Sequence, residues 1–563
     1  MVSLENAIDF NDSKMAIPME FMNGNMHSND LDVLSQKQRE IIPRELSSFG
    51  YETSSNMMGA GSLSNKLTFY VSDPRMYCDL LDSYFTADFR AIARRANDAP
   101  LAAFIDAGGI HSLIKTLTIK IGGTVLMRLD DYNKWYNVNN FATHSAEYVD
   151  YMLGPSLDSQ DDYQLSEDDV WEDVATTANL ASATLSNAGV LAAFYGASDA
   201  NTLADVNGIR QSVKVGDIVR INGGTTPQVA RVRAIGTFAD AANGTITLAN
   251  ASLANTFTAL GAAALVKLEV RRKSTRARVV NQANNMKIQW RLPAGCLSFL
   301  KYFPLPYIQN IAPLEIEFEW IDPRLGIVLR DSAEASATNE IGYLVSRPRF
   351  IVSLVEPSNK VREMHDKLYN DNGIWMPYLN YRHFQNRITT GATDVAVTIQ
   401  TNVSSARHVF SVITGQTNDD ANTTATQAVK SQSTFYRSQL NYFRYQSGSL
   451  QFPDYGNVQC GGSTGIMAGE AFAQLLLSFG IKENTVHKTR IRPYEWQSVD
   501  SEKFIIAVPL AKDSSLWTGL SCKNNFLELT INKVSVATEY NLHTYLGYDC
   551  ALCISKSTVS VFD

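Results

Sequence analysis

The sequence predicts an all-β chain built of sandwiches or barrels, and three observations predict it. Segments in which apolar and polar residues alternate recur along most of the 563 residues, the mark of strands with one buried face. Runs with helical spacing are scarce; the best is "IMAGEAFAQLLLSFG", closed by Gly480. Strands and helices also fail to alternate as a parallel α/β sheet requires. A chain of this length exceeds what one hydrophobic core supports, so two or more cores are expected.

In chain order, residues 1–60 are rich in Asn, Ser, Met and Gly without a sustained period, and read as an arm that orders only against neighbours. From Leu67, "LTFYVSDP" is a short strand ended by Pro74. "SYFTADFRAIARRAN" then reads as a helical excursion. The next stretch, "GGIHSLIKTLTIKIGGTVLMRLDDYNKW", runs from Gly108 to Trp135. In it Leu117, Ile119 and Ile121 alternate with Thr116, Thr118 and Lys120, and after Gly122-Gly123 the alternation resumes at Val125, Met127 and Leu129. Period two on both sides of a glycine pair predicts a hairpin with a type I′ turn, which needs positive φ at both glycines.

Composition changes between about residues 157 and 275. An acidic entry, "LDSQDDYQLSEDDVWED", leads into short alternating segments around "VKVGDIVRINGG", "QVARVRAIGTF" and "GTITLANASL". These predict an inserted, small β-barrel-like domain that interrupts a larger sheet, because strands of the outer type resume at Lys287. Further strands are expected at "MKIQWRL", "PLEIEFEWID", "RFIVSLVEP", "VAVTIQTN", "RHVFSVITG", "QLNYFRYQSGSLQF", "KFIIAVPLA", "NFLELTINKVSV", "LHTYLGYD" and "ALCISKSTVSVF".

Composition also excludes function classes. Net charge is -8, so no general attraction to nucleic acid or anionic lipid is expected, and no sequence-specific nucleic-acid binding. Charged residues are 19% of the chain, below the roughly 25% of ordinary soluble domains, which points to surface that a partner covers. The start, "MVSLENAIDFNDSKMAIP", has neither a basic nor an apolar region of a secretory signal. With scattered cysteines, this favours synthesis in a reducing compartment without disulfides. Apolar runs such as "VLAAFYGA" fall well short of the ~18 residues of a spanning helix.

Candidate chemistry is thin. "GGSTG", Gly461 to Gly465, fits the elbow that would present Ser463 as a nucleophile, with Asp500 or Asp513 and then His543 in triad order. The hydrolase fold that carries this elbow needs a parallel sheet, so a glycine-rich loop before a helix is the better reading. Cys550 and Cys553 have half the spacing of a zinc site, but on a strand residues three apart face opposite sides. His111, His144, His365, His383, His408, His487 and His543 form no ligand motif, and each reads as a surface or satisfied core histidine. "RRKSTRAR", Arg271 to Arg278, reads as a solvated or intersubunit face, and "SEDDVWEDV" lacks the calcium-loop pattern. No catalytic, cofactor-binding or metal residue is assigned.

Four segments in register carry a resemblance. "GGIHSLIKTLTIKIGGTVLMRLDDYN", Gly108 to Asn133, resembles the early hairpin of major capsid proteins of polinton-like viruses and virophages. "LPAGCLSFLKYFPLPYI", Leu292 to Ile308, "RSQLNYFRYQSGSLQFPDY", Arg437 to Tyr455, and "FIIAVPLAKDSSLWTGL" are similar to later segments of that family in the same order. The resemblance spans roughly residues 65–560. It implies two eight-stranded jelly rolls side by side, as in adenovirus hexon: a first roll over 61–350, interrupted by the insert at 157–275, and a second over 351–563. It further implies a homotrimer of pseudo-hexagonal outline that tiles an icosahedral shell around double-stranded DNA. Partners would be neighbouring capsomers, a penton protein and minor capsid or cement proteins, and the protein would reside in the virion. The insert becomes an outer tower loop available to a host surface, and the arm a bridge on the inner face. The rival readings are a serine hydrolase using Ser463, and a β-rich adhesin or tail module, which predicts a fixed-period repeat that the sequence lacks.

Overall fold

In a computed structural model the described residues are 33–43, 49–51, 65–94, 103–106, 108–143, 286–293, 302–329, 340–419, 432–462, 469–480, 491, 503–511, 517–523, 525–535, 539–556 and 558–563. Between 143 and 286 they are 170–173, 184–186, 190–194, 218–222, 228–235, 243–250 and 267–272.

The first sandwich starts with β1 (Val33–Ile41), β2 (Phe49–Tyr51), β3 (Lys66–Val71), β4 (Tyr77–Arg94) and β5 (Ala103–Ile105). The hairpin β6 (Ile114–Ile121) and β7 (Thr124–Leu129) follows, and then helix α1 (Tyr132–Thr143). The insert contributes β8 (Val170–Asp173), β9 (Thr184–Leu185), β10 (Val190–Phe194), β11 (Ile218–Asn222), β12 (Gln228–Ile235), β13 (Asn243–Asn250) and β14 (Lys267–Arg272). The sandwich is completed by β15 (Met286–Trp290), β16 (Leu314–Trp320), β17 (Ile327–Leu329) and β18 (Glu340–Pro357).

Helix α2 (Asn359–Asp371), capped by the Ser358 hydroxyl on Val361 N–H, leads to the second sandwich. Its strands are β19 (Ile374–Ile388), β20 (Asp394–Ile399), β21 (Ala406–Gly415), β22 (Leu440–Ser447), β23 (Leu450–Phe452) and β24 (Val458–Gln459). Helix α3 (Gly469–Ser478) precedes β25 (Ile506–Pro509), β26 (Leu527–Lys533), β27 (Tyr540–Ile554) and β28 (Val559–Phe562).

Each sandwich is a jelly roll. The first pairs its strands as β1-β18-β4-β15 in one sheet and β3-β16-β6-β7 in the other; the second as β19-β27-β21-β25 and β20-β26-β22-β23. Counting the eight principal strands of each roll in chain order, both rolls read first-eighth-third-sixth over second-seventh-fourth-fifth, every pair antiparallel. The sheets pack through alternate residues. On β16 Leu314, Ile316, Phe318 and Trp320 are buried, and Leu527, Leu529 and Ile531 repeat the pattern on β26. In roll one Phe85 stacks on Phe350 of its own sheet at 4.1 Å and meets Phe318 of the opposite sheet edge-on at 5.0 Å. Among the described residues no helix is long and apolar enough to cross a membrane.

Several expectations change. The described part of the expected helix, "SYFTADFRAIAR", belongs to strand β4: Phe85, Ala87 and Phe89 are buried at period two and pair along β15 and β18. Residues 33–41, within the expected arm, form edge strand β1 in register with β18. Its residues Gln36 to Glu40 are exposed, so backbone pairing rather than an apolar face holds it, and no alternation marks it. Residues 1–32 lie outside the described residues. The boundary at 350 falls inside β18, and α2 is the real junction between the rolls. Strand β19 escaped notice because Pro377 and many polar residues interrupt its pattern; as an edge strand it tolerates a residue without N–H. The insert is a seven-stranded sheet of order β8-β14-β11-β12-β13-β10-β9, with β8 and β9 as edges among the described residues, rather than a closed barrel.

The hairpin forms as expected, Ile121 opposite Thr124, but Gly122 alone has positive φ (57°). The turn is therefore of the II′ kind. A bulge then places both Leu126 and Met127 inward, and Val125, expected inward, is 47% exposed while Leu126 is 1% exposed.

Candidate functional site

The bulge at Leu126 is where roll one meets roll two. The Leu126 carbonyl accepts hydrogen bonds from the Tyr378 hydroxyl at 2.6 Å and the Asn380 amide at 3.1 Å, both on β19. Thr124 donates to the Val559 carbonyl of β28 at 3.0 Å. Strand β7, the edge of roll one's second sheet, thus lies against β19 and β28 of roll two's first sheet. Deeper in, Trp135 of α1 meets Tyr381 edge-on at 5.0 Å. Asp106, fully buried, accepts the backbone N–H groups of Gln432 at 2.6 Å and Ser433 at 3.0 Å.

Where β7 turns into α1, five ionisable side chains from both rolls converge. Asp131 holds a left-handed backbone (φ 49°), and its carbonyl receives the N–H groups of Lys134 and Trp135 and the Tyr545 hydroxyl at 2.9 Å. Its carboxylate Oδ1 faces the Lys134 ammonium at 3.4 Å, and Oδ2 faces His543 Nδ1 at 3.6 Å and His383 Nε2 at 3.7 Å. Asp419, on the single helical turn Gln416–Asp419 after β21, takes Lys134 at 3.2 Å on Oδ1. Its Oδ2 accepts His543 Nε2 at 3.0 Å, the Asn541 amide at 2.7 Å and the Thr414 hydroxyl at 2.7 Å. The two imidazoles come within 3.1 Å, His383 Nε2 to His543 Nδ1, with rings nearly parallel.

The strand register explains the convergence. Asn541, His543 and Tyr545 alternate on one face of β27, and His383 lies directly opposite Tyr545 and diagonal to His543. That face is the one roll one covers, so nearly all of β27 is buried on both sides.

Electrostatics follow from burial and neighbours. Burial alone would raise the Asp419 carboxyl, but the Lys134 ammonium and the His543 and Asn541 donors outweigh it and hold it well below the usual carboxylate range. Asp131 is lowered for the same reason, burial being overcome by Lys134, His543 and His383. Burial works against the Lys134 charge, yet the two carboxylates raise its pKa. Burial depresses both imidazoles, His383 to about 3, so they are neutral at pH 7. One ammonium faces two carboxylates, leaving one surplus negative charge in a buried seam.

The remaining candidates fall into place or outside view. His111 is buried, with Nδ1 2.7 Å from the Tyr132 hydroxyl and its ring stacked on Tyr136; it is a satisfied core histidine. His365 bonds Tyr77 at 2.6 Å and ties α2 to β4. Asp130 is an exposed strand-end partner of Arg128. Cys550 is buried and Cys553 partly so on β27. Ser463, Asp500, Asp513, His144, His487 and residues 273–278 lie outside the described residues. The third member of the supposed triad, His543, is engaged with Asp419 and Asp131 in the seam. The pairing of His383 with His543, and the roles of Lys134 and Asp419, went unread in the sequence. The single available signal was the alternation Asn541, His543, Tyr545, which acquires meaning once β19 is recognised beside it.

No family model and no curated protein matches the sequence. Among solved structures, the chain is similar to the Sputnik virophage structure at 12% identity, over 92% of this chain and 89% of that one, with a TM-score of 0.40. It is similar to the Faustovirus major capsid protein at 8% identity over 92% and 90%, TM-score 0.45. It is similar to the mavirus major capsid protein at 9% identity over 95% and 93%, TM-score 0.39.

Proposed function

We propose that this chain is a structural subunit of a viral shell, a major capsid protein whose work is association rather than turnover. The observation that carries the reading is the strand order: one eight-strand arrangement occurs twice in the chain, and a buried seam locks the two copies together. Two like sandwiches per chain supply six wall units when three chains close around an axis, and a six-sided unit tiles a surface. Large apolar side chains remain exposed on the single chain, among them Phe526 (60%), Tyr455 (59%) and Ile42 (56%), and supply contact area for neighbours.

On this reading the partners are two further copies in a homotrimer, neighbouring capsomers, a penton protein and minor or cement proteins, and the location is the virion capsid. The insert at 157–275 projects from the loop between fifth and sixth strands of roll one, a place where sequence can grow without disturbing the walls, and serves contact with a host surface or a neighbouring capsomer. Weak contacts between trimers gain strength through multiplicity.

Sizing with electron microscopy tests this. Three 62.3 kDa chains, 186.9 kDa together, with a hexagonal outline are expected. A chain that stays monomeric at high concentration overturns the reading. Ser463→Ala should leave assembly unchanged, and an esterase activity abolished by it would favour the hydrolase instead.

A further inference from the structure

We propose that Asp131, His383 and His543 form a transition-metal site of the zinc class that staples roll one to roll two. Three potential ligand atoms lie close together: His383 Nε2 and His543 Nδ1 are 3.1 Å apart, and Asp131 Oδ2 is 3.7 and 3.6 Å from them. Ligands held about 2.0–2.1 Å from a tetrahedral zinc lie about 3.3–3.4 Å from one another, and the three edges bracket that spacing. Two imidazoles and a carboxylate are a donor set zinc accepts, and the fourth position is left for water.

The surroundings are those of a metal site as well. His543 Nε2 lies 3.0 Å from Asp419 Oδ2, so that nitrogen carries the proton and donates it, which leaves the Nδ1 lone pair free for the cluster. A carboxylate behind a ligating histidine, fixing its tautomer and ring, is the usual outer partner of a bound metal. Asp419 is itself fixed by Asn541, Thr414 and Lys134. Lys134 occupies Oδ1 of Asp131 and leaves Oδ2 to the imidazoles. The surplus negative charge of the seam is what a cation would neutralise. In the metal-free chain the His383 Nε2 proton bridges to His543 Nδ1; a metal takes its place as His383 moves its proton to Nδ1.

Because Asp131 comes from roll one and both histidines from roll two, binding would couple directly to the seam rather than to either sandwich alone. The inference rests on this cluster and stands whether or not the chain builds a shell.

The test uses the purified full-length chain, stripped of metal by a chelator and titrated with Co²⁺ alone and then with Zn²⁺. One Co²⁺ per chain with the intense visible bands of a four-coordinate site is expected, displaced by one equivalent of Zn²⁺, and the unfolding midpoint should rise with free Zn²⁺. His383→Gln should weaken binding roughly tenfold or more, while Asp130→Asn, beside the cluster but exposed, should leave it unchanged. If the unaltered chain gives no such bands and no rise of the midpoint, the proposal fails, whatever the variants do. It fails equally if a folded His383→Gln chain, its circular dichroism unchanged, binds Co²⁺ as the parent does.

Discussion

The eighth strand holds the same place in both rolls, between the first and third strands of its sheet, yet the two strands differ in burial. On β18 of roll one, Leu344, Ser346, Arg349 and Ile351 are only half-buried and Arg347 is exposed. On β27 of roll two every residue from Asn541 to Leu552 is buried. The inner faces are alike, since both pack into a sandwich. Part of the difference lies outside: the start of α1 in roll one covers the face of β27 that carries His543 and Tyr545, where Asp131 and Trp135 meet His543, His383 and Tyr381. Topology therefore dictates the inward residues, and the neighbour dictates the outward ones. A covered face that carries His543 and Asn541 must satisfy them with partners, which is what Asp131 and Asp419 provide.

The largest effect should come from removing the ammonium that faces both seam carboxylates. Lys134→Met leaves two buried carboxylates without their ammonium, and loss of one partner of a buried ion pair costs about 3–5 kcal/mol. The denaturant midpoint should fall accordingly, and adding Asp419→Asn should restore part of the loss. A cost under about 1 kcal/mol would put the seam in the class of surface pairs and erase the contrast between the two outer faces.

Much of the inward pattern was legible in the sequence, because alternation is a local signal. "LEIEFEW" and "LELTINK" state their buried faces outright. Strand β4 was misread since "FRAIARRAN" is built of good helix formers, and its pairing with β18, more than two hundred residues away, overrides that preference. Val125 and Leu126 exchanged roles because a bulge answers to the partner sheet that takes the Leu126 carbonyl. The seam itself was not legible. Its five ionisable members come from four separate segments, and each alone is an ordinary polar residue until the two rolls are packed together.

A smaller effect is expected at the second seam contact. Asp106→Ala removes a buried acceptor and strands the N–H groups of Gln432 and Ser433, a loss of about 2–3 kcal/mol. Asp106→Asn, which keeps one carbonyl oxygen, should cost less, and equal costs would argue against the hydrogen-bonding account.

Acid should weaken both rolls through histidines outside the seam cluster. Burial lowers His365, at the α2 junction, and His408, on β21, each to about 4. A histidine depressed in the folded state stays neutral there while the unfolded chain takes up a proton below about 6.5. Its contribution is thus present above pH 6.5 and lost as pH falls toward 4, on the order of 1–2 kcal/mol per histidine by pH 5. Stability measured at pH 7, 6 and 5 should decline, and His365→Gln should flatten the decline. A midpoint that rises on acidification would reverse the sign and contradict the assignment.

The smallest effect belongs to the outer face of roll one. Arg39 on β1, the counterpart of β19 with its His383, pairs with Asp73 at 3.4 Å, but its side chain is 55% exposed. Water and salt screen that pair, so Arg39→Ala should change stability by no more than about 0.5–1 kcal/mol, and less in high salt. The same kind of change made on the first strand of roll two removes a side chain from a covered face, where no solvent makes up the loss. If Arg39→Ala proves as costly as Lys134→Met, roll one's outer face must be covered in the assembled protein, and the exposure of β1 belongs to the single chain alone.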